Sequence, residues 1–241
     1  MKKKSSLFLH IASNLALVFL LFSISIVCFW PLEEEQTTNG EATEGLYRRS
    51  AVTDDGVSLM FNVYQGTDEV YEILKILDEN QAKCTFFIGG CWADDNVECL
   101  RNIVEKGHEL GNHGYFHKDH AKLSETDNKL EISRCNEFIR LACGVTPTLF
   151  APPSGSYSDA CLNAVLSLQM KTILWSKDTI DWRDQDSALI FNRATKNIDG
   201  GDFVLMHPTK ATVEALDDVL ANYTSKNLRV ITVTENLRLG G

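Results

Sequence analysis

Two imidazoles four positions apart, in the run Asn112-His113-Gly114-Tyr115-Phe116-His117, are the strongest chemical signal in this 241-residue sequence. At that spacing on one local turn both side chains reach a single point, and neutral imidazole is a common ligand of zinc-like ions. His113 and His117 are therefore read as metal ligands. A third imidazole, His207, ends the apolar run Phe203 to Met206, and an acidic segment, Asp178-Thr179-Ile180-Asp181-Trp182, precedes it. A buried carboxylate from that segment would orient His207 and raise its basicity, which suits a general acid. In Ala151-Pro152-Pro153-Ser154-Gly155 neither proline carries an N–H. Ser154 is thus the first free donor, and its fixed amide would stabilise an oxyanion at small reorganisation cost. His108 and His120 lack a partner at this spacing and are assigned structural or solvent roles.

These groups converge only if a scaffold brings distant segments together. Past Val52, β-rich runs alternate with amphipathic stretches. Strands are expected at Val57–Val63, Cys84–Ile88, Glu109–His113, Thr148–Ala151, Lys171–Trp175, Phe203–Met206 and Arg229–Val233. Between them, helices are expected from Thr67 as cap, over Asp94–Lys106 and Ser124–Leu141, after Ser158, over Ser187–Ile198 and after Thr212. Val70, Ile73, Leu74 and Leu77 fall on one face of the first. Strict β-α repetition implies parallel strands covered by helices, either as an incomplete barrel or as an open doubly wound sheet. In both, chemistry belongs at the C-terminal ends of the strands, where the polar segments above fall.

The chain is 44% apolar and 9% aromatic, enough for a sizeable core. Lys2, Lys3 and Lys4 are the only charged residues before Glu33; the remainder has 20 basic and 33 acidic side chains, a net of −13. Such a body is unsuited to gripping nucleic-acid phosphates. After residues 1–6, a basic cytoplasmic end, the run 7–30 is apolar and long enough to cross a bilayer. The length of this run, with no small-x-small cleavage pattern, favours an uncleaved anchor over a signal peptide. The expectation is a single-pass cell-membrane protein with its folded part outside. Residues 31–50 read as a flexible acidic tether and 51–241 as the exported domain. Six cysteines fall in the exported part; an even number permits disulfides, and buried free thiols fit equally well.

The run Gly107-His108-Glu109-Leu110-Gly111-Asn112-His113 with His117, the Pro-Pro turn, Asp178 to Trp182 and Leu205 to His207 together resemble the polysaccharide deacetylases of the NodB-homology group, carbohydrate esterase family four. The resemblance spans about Val57 to Leu237. It implies a distorted seven-stranded (β/α) barrel that removes acetyl groups from N-acetylated sugars with a divalent metal, usually zinc. It also implies that His207 is the proton donor, Asp178 the carboxylate orienting it, and Trp182 a hydrophobic wall; Pro153 and Asp181 are expected beside it in the substrate site. The family's first motif, Thr-Phe-Asp-Asp, supplies a catalytic base and a metal ligand. Here the stretch reads Met60-Phe61-Asn62-Val63, and Ala151 stands where the family has an arginine holding that base.

Asparagine accepts a proton far less readily than a carboxylate, and valine ligates nothing. A third ligand would have to come from the Asn62 carbonyl oxygen, from Asp181 or from water, leaving a weakened site. The leading expectation is a membrane-anchored hydrolase that removes N-acetyl groups from a cell-wall polysaccharide or peptidoglycan. The alternative is a domain that kept the sugar groove and binds wall glycan without hydrolysis.

Overall fold

The computed structural model describes residues 44–51 and 55–238. The expected anchor at 7–30 and most of the tether lie outside the described residues. Among the described residues no helix is long and apolar enough to cross a membrane.

Strands β1 (Leu46–Tyr47), β2 (Gly56–Val63), β3 (Thr85–Ile88), β4 (Glu109–Asn112), β5 (Leu149–Phe150), β6 (Lys171–Ile173), β7 (Lys177–Asp178), β8 (Phe203–Met206) and β9 (Arg229–Val230) form one sheet. Its order is β1-β6-β5-β4-β3-β2-β8-β7, with β9 beside β2. All ladders between these strands are parallel. The result is a curled half-barrel, since its end strands β1 and β7 are not neighbours in the ladder. All seven expected strands are present, and β1 and β7 are additional. The segment 31–50 is therefore not tether to its end: Leu46 and Tyr47 pair with Thr172 and Ile173, and the folded part begins before residue 51.

Alternate residues of β2 serve two cores, which explains its unbroken burial. Val57, Leu59, Phe61 and Val63 pack outward against Val70, Ile73, Leu74 and Leu77. Those four belong to α1 (Thr67–Glu79) and are its buried face, as their spacing predicts. Met60 points the other way, into a cluster with Phe87, Ala151, Ile173, Phe203 and Leu205. Asn62 shares the parity of Met60. Each fully buried side chain of this kind contributes about 1.5–3 kcal/mol. Gly111 on β4 lies where the Phe87 ring fills the space of a Cβ, so a larger residue would displace the inner core.

Several boundaries differ from expectation for local reasons. Gly66, in a left-handed conformation, precedes α1 in the capping position expected for Thr67. The Thr67 hydroxyl instead donates to Asn96 Oδ1 at 2.9 Å and accepts from Trp92 Nε1 at 3.0 Å. The helix expected over Asp94–Lys106 is two, α2 (Gly90–Asp95) and α3 (Val97–Glu105). Asn96 separates them, its Nδ2 bonding back to the Trp92 carbonyl in competition with the helix ladder. Further along lie α4 (Glu125–Cys143), α5 (Asp159–Ser167), α6 (Asp181–Asp184), α7 (Ser187–Thr195) and α8 (Lys210–Ser225). The strand expected over Arg229–Val233 stops at Val230, and helix α9 (Val233–Arg238) follows. Thr85 Oγ1 and Glu109 Oε2 take the amides of Val233 and Thr234, at 2.9 and 3.2 Å. The six cysteines from Cys84 onward are free thiols, four of them buried.

Candidate functional site

The C-terminal ends of β2, β3, β4, β5 and β8 meet at one rim, and the loops there are tied to one another. Gly89 N–H donates to the Val63 carbonyl, Gly90 N–H to the Gly114 carbonyl, and His113 N–H to the Ile88 carbonyl. His113, directly after β4, is 1% exposed. Its Nδ1 lies 2.7 Å from the Ala151 carbonyl oxygen, which can only accept. The proton is thus on Nδ1, and Nε2 keeps its lone pair. Burial, with the neighbouring His117 imidazole, pushes the His113 pKa down to about 3, so the ring is neutral at physiological pH. His117 sits at a left-handed φ of 52°, its ring centroid 5.1 Å from that of His113. Burial also lowers its pKa. Glu131 on α4 holds this loop, accepting from Phe116 N–H at 2.9 Å and pairing with Lys118 at 2.9 Å.

The partner of His207 is Asp181, not Asp178. His207 Nδ1 lies 2.7 Å from Asp181 Oδ1, and the His207 backbone N–H donates to Asp181 Oδ2 at 2.6 Å. Thr212 Oγ1, in the first turn of α8, also donates to Oδ2, at 2.7 Å. Asp181 is fully buried. Asp178, expected in that role, accepts from the Ile180 N–H at 2.8 Å and shapes the turn. Burial raises its pKa. The physical reason is reach: Asp178 belongs to β7, paired with Leu205, whereas Asp181 opens α6 beyond the strand end, level with His207. Trp182 follows on α6 and is 56% exposed.

The imidazoles follow β4 and β8 at the same end of the sheet, with only β3 and β2 between those strands. Asn62 lies between them in the sheet, because β2 pairs with β3 on one side and β8 on the other. It is 3% exposed, and its Oδ1 is buried without a hydrogen-bond partner. Val63 is fully buried in the outer core. Pro153 and Ser154 form a single 3₁₀ turn after β5, Pro153 buried and Ser154 exposed at a left-handed φ of 55°. Tyr64 was not singled out from the sequence, yet its ring packs on His117 at a centroid distance of 4.1 Å. The strand-end rule that exposes the histidines applies equally to this residue, the first after β2. Thr212 was also missed.

The donor set does not fit the family's metal. His113 presents Nε2 and keeps the supporting carbonyl of a ligand, but the position of the third ligand is the aliphatic Val63. Asp181, the carboxylate suggested as substitute, already receives three hydrogen bonds. Among the described residues there is no group of three His, Cys, Asp or Glu side chains able to hold a metal ion. A depression of about 560 Å³ lies at the other end of the sheet, lined by Asp55, Tyr223, Asn227 and Arg229, away from these groups.

Comparison with known proteins agrees with this architecture. Residues 49–173 match the polysaccharide deacetylase family model. The chain is 37% identical over 179 residues to the uncharacterised protein YlxY of Bacillus subtilis, covering 74% of this chain and 56% of that relative's length. It thus spans little more than half of that protein. It is 31% identical to a peptidoglycan-N-acetylglucosamine deacetylase of Bacillus cereus, covering 72% of this chain and 84% of the relative. Among solved structures, a family-four pseudoenzyme from Bacillus anthracis superimposes with a TM-score of 0.78 at 34% identity, covering 81% of this chain and 69% of that one. A mutant of that pseudoenzyme has restored enzymatic activity. The chain therefore belongs to the polysaccharide deacetylase family, as a member whose first motif carries Asn62 and Val63 in place of the acidic pair.

Proposed function

We propose that this protein holds an N-acetylated amino-sugar polymer of the peptidoglycan type at the C-terminal rim of its half-barrel and does not hydrolyse it. The observation that carries this reading is the donor set: among the described residues no third His, Cys, Asp or Glu joins His113 and His117, and position 63 is a valine. Without a third ligand zinc is held poorly, and without a carboxylate at position 62 no side chain there can take a proton from water. The exposed Trp182 and the Pro153-Ser154 turn supply aromatic and backbone groups suited to a neutral glycan. Lys2 to Lys4 and the apolar run 7–30 support a single-pass anchor with this domain outside the cell.

A second reading, slow deacetylation, is favoured by the His207–Asp181 pair. With Nδ1 committed to Asp181, His207 presents Nε2, the atom that would hand a proton to a departing amine, and the Ser154 amide would face the oxyanion. The two readings separate in one experiment on the purified chain with N-acetylated peptidoglycan. Binding without acetate release supports the first reading. Acetate release that disappears in His207→Ala overturns it in favour of the second.

A further inference from the structure

Tyr64 is the first residue beyond β2 and is 40% exposed, yet its ring is held in place. It stacks on His117 at 4.1 Å with 35° between the planes. His117 meets His113 edge-on at 5.1 Å and 67°. The innermost ring is fixed to the barrel through Ala151 and Ile88. Three rings thus run from the buried rim of the sheet outward, and the last is partly open to solvent. Two residues before Tyr64, at the end of β2, the Asn62 amide oxygen is a buried acceptor without a donor.

We propose that Tyr64, stacked on His117, is a saccharide platform that holds an N-acetyl sugar where complete family members rely on a metal. A pyranose presents an apolar C–H face, and a rigid aromatic ring offers matching contact area at small entropic cost. The substituent next to that face is an acetamide, whose N–H is the kind of donor Asn62 Oδ1 lacks. The ring, rather than the phenol hydroxyl, supplies the contact. This inference rests on the glycan-binding reading above.

The test is calorimetric titration of the full chain, in detergent micelles containing EDTA, with the β-1,4-linked tetramer of N-acetylglucosamine. The wild type is expected to bind, Tyr64→Ala to weaken binding by about tenfold or more, and Tyr64→Phe to stay within about twofold. If the wild type binds and Tyr64→Ala binds equally well, the platform is overturned while the glycan reading stands. A Tyr64→Phe loss as large as that of Tyr64→Ala would also overturn it, since the hydroxyl would then be the contact. Wild-type binding that appears only when zinc replaces EDTA contradicts a metal-free platform. No wild-type binding under either condition removes the glycan reading and this inference with it.

Discussion

Asp181 organises one side of the site through three short hydrogen bonds, while Asp178 serves only its own turn. Asp181→Asn would either set one donor against another or force the His207 proton from Nδ1 to Nε2 in a fully buried position, and we expect it to cost about 1–3 kcal/mol in urea unfolding. Asp178→Asn keeps an acceptor for the Ile180 amide and should cost under about 1 kcal/mol. Equal effects would contradict the assignment. Val63→Asp places a carboxylate in an apolar cluster. It should lower the melting temperature, and added zinc should recover part of the loss if the imidazoles can reach the new ligand; a variant as stable as wild type without zinc would show that position 63 is not held in the outer core. At this scale the sequence revealed residue types better than partners. His113 and His207 were legible because each ends a β-rich run, and His117 because it stands four positions after His113. Which of two aspartates three positions apart reaches His207 depends on where β7 stops, and its two residues leave no pattern to read.

The elements matter because they set which loops face one another. β2, flanked by β3 and β8, brings Asn62 between the histidine-bearing segments, and its alternation separates the inner from the outer core. The α1 face and the positions of the long strands along the chain were readable from the apolar pattern. β1 was not: Leu46 and Tyr47 stand in an otherwise polar stretch, and their pairing with Thr172 and Ile173 is a long-range contact. The same segment supplies Gly45 and Tyr47 carbonyls to the Thr172 and Leu174 amides, at 2.7 and 2.8 Å, and Ser50 Oγ to the Asn236 carbonyl, at 2.8 Å. Removing residues 1–50 should therefore destabilise the domain by roughly 2–4 kcal/mol, whereas removing 1–43 leaves these bonds in place. Matching melting temperatures for the two truncations would show that β1 contributes nothing.

For the molecule as a whole, buried neutral imidazoles link the fold to pH. Desolvation pushes His108 down to about 4 and His113 to about 3, below the 6.5 of a free imidazole. Both pKa values are depressed in the folded state, so the unfolded chain binds more protons below pH 6.5. The stabilisation from neutral rings is complete above that pH and declines as pH falls toward 4 and then 3. The melting temperature should drop between pH 7 and pH 5, and His108→Gln should flatten that drop; a rise on acidification would contradict the burial of these rings. The parallel strands and the rim that carries the polar groups were legible from β-α alternation, and the barrel rather than an open sheet only from the family resemblance, but the fate of the chemistry required knowing that Asp181 is already committed and that, among the described residues, no third His, Cys, Asp or Glu side chain joins the histidine pair. On the proposed reading this rim lacks a competent metal centre. Zinc titration of the purified wild-type chain tests it most directly: we predict no stoichiometric site tighter than about micromolar, and one zinc per chain bound at nanomolar affinity and lost in His113→Ala would contradict it.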